Sequence, residues 1–503
     1  MNTKSKVSFV IVYIILAALV VVLDFGDQIW LDESFTIHMT KHSLGEIIDF
    51  TSIDVHPPLY YFMLKPFVLL FGYNILVYHI FSAIPFMAML LIVGLFTSKE
   101  ISPKAGILSM VVLCAVPHTL TYAVEIRMYS WCQLFVICSV IIAYKLAKKD
   151  NTVLWVLFCI VNALAAYTHY FAGMAVMIVS ICLIVNILIT KTDVKKRFIK
   201  WLVANIGTVV LYIPWLTVFI SQSQSVKESF WIAPFNFADL GEYAEFVFGE
   251  FAFNKPSGYF AIIYAAILCL AIVLLIIKRK KLKTFQFAVL NLCVFFVYII
   301  GGIILSVVFT PVFIERYIAV VLPCIWLFVI YTVLAIENNK IFIATAIITV
   351  IMFIYNYYVE FNYRLIESNS TLYDSIKDEI TADDIVYHNS VHSLSILSVY
   401  MPEHHAIITD KDLEIEKFKS WHEMSPNIEV QSELNIPDNK TVWVILDDDE
   451  ANAEDYLNAM GYAFDTSVLD YLSNKGYKLE QIGERVLPAG QTNKEFMLYK
   501  CHQ

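Results

Sequence analysis

About eleven apolar runs of roughly 18 to 25 residues, near 7–23, 74–97, 105–123, 129–147, 153–170, 172–190, 201–220, 258–277, 284–309, 317–336 and 341–358, constrain this chain more than any other feature. About 20 apolar residues in a helix cross the hydrocarbon of a bilayer, and helices or closed barrels alone satisfy their backbone polar groups there. A composition of 59% hydrophobic and 16% charged residues lies far from that of soluble domains. The expectation is an all-α polytopic membrane domain. The run 57–72 is the ambiguous one: it is aromatic and apolar, but only sixteen residues long and interrupted by Lys65 and Pro66.

Positive charge decides that case. If 57–72 lies in the interface instead of spanning, every basic loop falls on one side: Lys4 and Lys6; Lys99 and Lys104; Lys145, Lys148 and Lys149; Lys191, Lys195, Lys196, Arg197 and Lys200; Lys278, Arg279, Lys280, Lys281 and Lys283; and Lys340. These are 18 of the 24 Lys and Arg before residue 360. The N-terminus is then cytoplasmic and the C-terminal domain extracytoplasmic. The basic start resembles a secretory signal, but Asp24, Phe25, Gly26 and Asp27 follow the apolar run without a small-residue cleavage site, so an uncleaved first span is expected.

From Glu360 onward the chain changes character, with 27 Asp and Glu against 11 Lys and Arg. Residues 1–359 form the membrane domain, with a first outer loop at 24–73, and 360–503 an acidic α/β domain. Strands are expected at 384–387, 406–409 and 441–446, with helices near 365–379, 391–400, 452–460 and 467–475. Asp447 to Glu450 read as a solvated acidic turn, and a Gly-rich phosphate loop is missing. Eight of nine cysteines lie in apolar runs, where thiols act as small hydrophobes, so a disulfide framework is excluded. Basic residues confined to short loops leave no nucleic-acid footprint.

The polar clusters share the side opposite the basic loops. Trp30-Leu31-Asp32-Glu33 and Asp54-Val55-His56-Pro57-Pro58-Leu59-Tyr60-Tyr61 stand in the first outer loop; Glu125-Ile126-Arg127-Met128-Tyr129, Thr168-His169-Tyr170 and Glu315-Arg316-Tyr317 stand in later ones. Ionisable groups at a membrane surface point to function. A carboxylate such as Asp32 or Glu33 can serve as general base on an acceptor proton. Arg127 and Arg316 suit phosphate oxygens, or act as interfacial anchors beside Glu125 and Glu315. Glu33, Asp54, His56 and His169 are the groups able to hold a divalent ion. Tyr60, Tyr61, Tyr129, Tyr170, Tyr317 and Trp231 offer rings for a sugar, or belong to an aromatic belt.

Taken together, the acidic pair, His-Pro-Pro-Leu-Tyr-Tyr, Glu-x-Arg-Met-Tyr, Thr-His-Tyr and Glu-Arg-Tyr resemble the GT-C glycosyltransferases related to protein O-mannosyltransferases and lipid A aminoarabinose transferases. The resemblance covers about two-thirds of the chain. It implies a GT-C-like membrane domain, an inverting transfer from a polyprenyl-phosphate sugar to a cell-envelope acceptor, Asp32 as the first-loop acid with Glu33 beside it, and His56, Arg127 and Arg316 near the donor phosphate. Tyr60-Tyr61 replace the Gly-Lys that O-mannosyltransferases carry, and aminoarabinose transferases lack the histidine before Pro-Pro, so neither acceptor class transfers. The rival reading is a transporter or lipid-carrier flippase, which requires charge at mid-membrane and often internal repeats.

Overall fold

The computed structural model describes residues 2–191, 193–228, 232–252, 255–280, 282–336, 338–366, 379–381, 383–388, 391–401, 404–408, 428–431, 440–447, 467–489 and 492–502. In chain order its helices are α1 Thr3–Leu23, α2 Leu31–Met39, α3 Leu44–Ile53, α4 Leu59–Phe71, α5 Ile75–Glu100, α6 Pro103–Ala115, α7 Thr119–Val124, α8 Tyr129–Lys148 and α9 Thr152–Thr168. They continue with α10 Tyr170–Thr190, α11 Val194–Glu228, α12 Asp239–Phe248, α13 Pro256–Lys278, α14 Phe285–Val308, α15 Leu322–Val333, α16 Asn339–Phe361, α17 Val391–Tyr400 and α18 Ser467–Asn474. Two compact units emerge: Met1–Phe25, His56–Tyr60 and Asn74–Asn362 form one, and Gly26–Val55, Tyr61–Tyr73 and Tyr363–Gln503 the other.

In the first unit, eight helices of the described residues are long and apolar enough to cross a membrane, so the expected count of eleven is not confirmed. The other three expected spans coincide with shorter helices. The run 105–123 is broken because Pro117 follows α6 and His118 turns left-handed at φ 58° before α7 begins. The run 317–336 opens with a 3-10 turn, Glu315–Val320, ahead of α15. The run 153–170 ends at Thr168, seventeen residues after Thr152. Side chains of Asn2, Asn74, Ser102, Asn151 and Asn338 start α1, α5, α6, α9 and α16 by accepting first-turn N–H groups, satisfying donors that a helix leaves orphaned.

Burial orders these helices. The most apolar stretch of α8 is 72% buried and that of α5 61%, against 11% for α11 and for α16; α5 and α8 are therefore core, while α11 and α16 present apolar flanks such as Val203 and Val209 outward, a face suited to lipid and not to water. Helices α5 and α6 approach closely, since a Cβ on Gly106 would overlap the Gly94 carbonyl and the Ser98 hydroxyl. At one end of the unit Lys148 meets Glu100 at 2.9 Å and Lys200 meets Asp150 at 2.7 Å. Arg197 donates to the Ala147 carbonyl at 3.1 Å. The basic connections after α5, α8 and α10 thus gather together. The 20 residues of α8, about 30 Å at the usual rise, separate them from Tyr129.

The second unit contains a six-stranded sheet in the order β3-β2-β1-β4-β6-β5: β1 Ile385–His388, β2 His404–Ile408, β3 Ile428–Gln431, β4 Val442–Asp447, β5 Lys478–Ala489 and β6 Thr492–His502. The first four are parallel and the β5–β6 hairpin antiparallel. The expected strands and two expected helices, α17 and α18, are present. Most of 365–379, the segment 452–460, Asp448 to Glu450 and Trp231 lie outside the described residues. Ile385, Tyr387, Val442, Val444, Leu446, Leu472 and the Cys501 thiol form the core. On the opposite face of the sheet, the buried Trp443 donates to Asp384 at 3.2 Å.

Two of the buried histidines, His38 and His388, are expected to make this unit less stable in acid. Burial, and then the neighbouring His405, hold His388 well below its ordinary range, and burial followed by Lys41 pushes His38 down to about 3. Both stay neutral when folded but take protons near 6.5 in the unfolded chain, so stability falls as pH drops below about 6.5, by up to about 1.4 kcal/mol per pH unit for each group. Melting of the unit, followed by Trp443 fluorescence, is expected several degrees lower at pH 5 than at pH 7; a pH-independent midpoint would remove this account.

Candidate active site

In the first unit, residues from four connections converge. Glu125 and Arg127 are buried in the turn between α7 and α8, tightened by an Arg127 N–H to Glu125 carbonyl bond of 2.6 Å. His79 of α5 holds that turn by donating from Nδ1 to the Val124 carbonyl at 2.6 Å. The guanidinium of Arg127 reaches His56 at 3.4 Å. A guanidinium only donates, so His56 Nε2 accepts and its proton sits on Nδ1. The His56 ring lies 5.5 Å from that of His169, which lies 6.0 Å from Tyr129 and 5.1 Å from Tyr317.

His169 caps α10, its Nδ1 accepting the Phe171 N–H at 3.1 Å. Burial, then His56 and Arg127, hold its titration well below the ordinary range, so it is a neutral imidazole that donates from Nε2. The Glu315–Val320 turn is fixed from two sides, by Gln133 donating to the Ala319 carbonyl at 2.9 Å and by the Tyr298 hydroxyl donating to the Tyr317 carbonyl at 2.7 Å. Arg316, half-buried, joins Arg127, Tyr317 and Glu125 as the groups whose charges act on Tyr129. Glu315 acts instead on Glu242 of α12: burial first, and then Glu315, Asp239 and Glu245, push Glu242 up. This end of the unit gathers the buried Arg127 guanidinium with the His56 and His169 imidazoles, groups whose N–H donors suit a phosphate oxygen.

Other residues singled out in the sequence fall elsewhere. Tyr60 is fully buried, its hydroxyl 2.9 Å from Ser82, and Tyr61, also fully buried, meets Phe35 edge-on at 6.3 Å; neither presents a face to a sugar. The Tyr170 hydroxyl points to α11, where it donates to Gln222 and accepts from Trp215 at 3.0 Å. Phe171, next to the Thr168-His169-Tyr170 cluster, stacks on Tyr317 at 4.8 Å; His79, Gln133 and Tyr298 escaped sequence reasoning because each sits inside an apolar run.

In the second unit the first-loop acids open α2. Glu33, 3% exposed, turns back so that its Oε2 accepts the Trp30 N–H at 3.1 Å, the N-terminal half of a capping box. Asp32 remains half-exposed on the first turn of the helix. At the other end of α2, Lys65 donates to the Thr40 carbonyl at 3.0 Å, which accounts for the lysine inside the apolar run 57–72. That run is a single 13-residue helix, α4. Asp54 closes α3, its N–H on the Phe50 carbonyl at 3.0 Å.

No protein-family model matches the chain, and no curated protein sequence matches it. Solved structures do. ArnT from Cupriavidus metallidurans in the apo state covers 98% of both chains at 11% identity and a TM-score of 0.63. The same enzyme bound to undecaprenyl phosphate matches over 99% of this chain and 98% of its own, again at 11% identity and 0.63. The chain has an ArnT-like GT-C fold. The oligosaccharyltransferase of Archaeoglobus fulgidus, in complex with zinc and sulfate, also matches, over 96% of this chain and 72% of its own at 11% identity and a TM-score of 0.44. The expected divalent ion finds no fit here: His169 Nδ1 is committed to a backbone N–H, and among the described residues no group of three or more His, Cys, Asp or Glu stands together to hold a metal. Charge on a bound phosphate would then be met by Arg127 and the imidazole N–H donors.

Proposed function

We propose that this multi-pass membrane protein is an inverting glycosyltransferase that moves a sugar from a polyprenyl-phosphate donor to a cell-envelope acceptor on the outer face. The single observation that carries the reading is the Arg127–His56–His169 cluster, with Arg127 and His169 buried, within an ArnT-like fold, one of whose solved neighbours is bound to undecaprenyl phosphate. Arg127, with His56 and Arg316, binds the donor phosphate. Asp32 takes the acceptor proton as the acceptor oxygen or nitrogen attacks the anomeric carbon. The bond from that carbon to the phosphate oxygen breaks, the electron pair leaves with polyprenyl phosphate, and one displacement inverts the configuration. Tyr129 and Tyr317 border the phosphate group, and Glu33 holds the loop.

A transporter would place charge within its helices. Among the described residues the spans also hold neutral polar pairs, Ser139 to Asn162 at 2.7 Å and Ser180 to Asn205 at 2.8 Å.

Purified full-length protein, offered a panel of radiolabelled polyprenyl-phosphate sugars with envelope extracts as acceptor, is expected to transfer label from at least one donor; movement of intact lipid without transfer would favour the flippase. Orientation is tested separately. Reporters inserted after Lys149, Lys200 and Lys283 should register as cytoplasmic, and those within 365–503 as external. An external reporter at Lys200 would overturn the assignment of the basic loops to the cytoplasm.

A further inference from the structure

The second unit contains a chain of buried hydrogen bonds whose direction can be deduced donor by donor. The Met401 carbonyl only accepts, so His405 donates to it from Nε2 at 3.3 Å. His405 Nδ1 must then accept, and His388 donates to it from Nε2 at 2.9 Å. His388 Nδ1 accepts in turn from the Ser393 hydroxyl at 2.9 Å. All three side chains are buried, and the chain ties β1 and β2 to both ends of α17.

The far side of α17 faces α2. The Ser398 hydroxyl spends its one proton on the Ser395 carbonyl at 3.0 Å, so its 2.9 Å contact with His38 is a donation from His38 Nε2. His38 and Ser398 are both buried. Beside them the Tyr400 hydroxyl donates to the Asp27 carbonyl at 2.5 Å, holding the segment that leads into α2. Serines at 393, 395 and 398 thus make α17 a polar connector between a sheet and the helix that begins with Asp32.

We infer that the C-terminal α/β domain is a positioning element for the first-loop acid: the sheet fixes α17 through His388 and His405, and α17 fixes α2 through the His38–Ser398 bond. His38 and Ser398 touch neither donor nor acceptor and act through the orientation of α2. The inference rests on Asp32 being the base, and its test separates the two.

Ser398→Ala removes the hydroxyl that the buried His38 meets beside the Ser395 carbonyl, whereas Ser398→Thr keeps it. In full-length protein in detergent, hydrogen exchange of residues 31–39 is expected to accelerate about tenfold in Ser398→Ala, with residues 478–502 unchanged, and to return towards native in Ser398→Thr. This measurement needs no substrate. With whichever polyprenyl-phosphate sugar the native protein uses, Ser398→Ala should lower kcat about tenfold at an unchanged donor KM, again restored by Ser398→Thr. Unchanged exchange in 31–39, or accelerated exchange with native kcat, overturns the inference while leaving the Asp32 assignment intact. If the native protein transfers none of the sugars offered, the glycosyltransferase reading fails, and the exchange measurement alone decides whether α17 orients α2.

Discussion

Asp32→Asn is expected to lower turnover by a factor of about 10² to 10⁴, the usual contribution of a positioned base, with the donor KM within about twofold of native. The amide is nearly isosteric with the carboxylate but cannot accept the acceptor's proton. The neighbouring glutamate provides the control. Its carboxylate is buried and already accepts the Trp30 N–H, so Glu33→Gln, which preserves an acceptor oxygen, should retain most activity. Glu33→Ala should lose about 0.5 to 2 kcal/mol of stability through the lost cap. Adjacent residues of a helix point about 100° apart, which makes it improbable on geometry that both serve one proton. Single-turnover assays on the two isosteric variants discriminate the roles: if Glu33→Gln is dead and Asp32→Asn is active they are exchanged, and if both remain active the mechanism is wrong.

Much of this was legible in the sequence where a signal is local. Apolar runs located the helices because hydropathy acts within one segment, and α18 appeared where a helix was expected because its apolar residues recur at helical spacing. Span lengths were less legible. Hydropathy passes smoothly through Val116, Pro117 and His118, yet the chain turns there, and it cannot see that residues 315–320 wind as a 3-10 turn held by Gln133 and Tyr298. The β5–β6 hairpin was missed because Lys478, Glu480, Glu484, Lys494 and Glu495 dilute its apolar pattern.

For the site, the sequence supplied residue types and hid partners. His56, Arg127 and His169 were recognisable from polar clusters at helix ends, and the structure sets them side by side. Tyr60 and Tyr61 stood in the same motif and turned out to be packing residues, since a tyrosine's exposure depends on what covers it. The contact of His38 with Ser398, 360 residues apart, has no local signature. An apolar α2 with one histidine looks the same whether or not a serine meets it.

Arg127 carries the other large effect. Its side chain is 3% exposed, and its Nη2 is directed to the His56 ring at 3.4 Å. A guanidinium at this position can donate to the oxygens of a phosphodiester with one negative charge. Arg127→Ala should therefore weaken donor use by about 2 to 5 kcal/mol, the range for truncating one partner of a buried charge pair. That corresponds to a fall in kcat/KM of about 30- to 4000-fold. Arg127→Lys keeps the charge but replaces a planar fork by a point charge, so it should recover only part of the loss. Glu125 and His79 hold the turn from which Arg127 projects, so the folded yield of Arg127→Lys should stay near native. The variant is measured by steady-state kinetics together with size-exclusion profiles. Native kcat/KM in a well-folded Arg127→Lys protein would return the residue to the role of interfacial anchor, and the phosphate would then have to be sought at Arg316, the half-buried cation whose charge also acts on Tyr129.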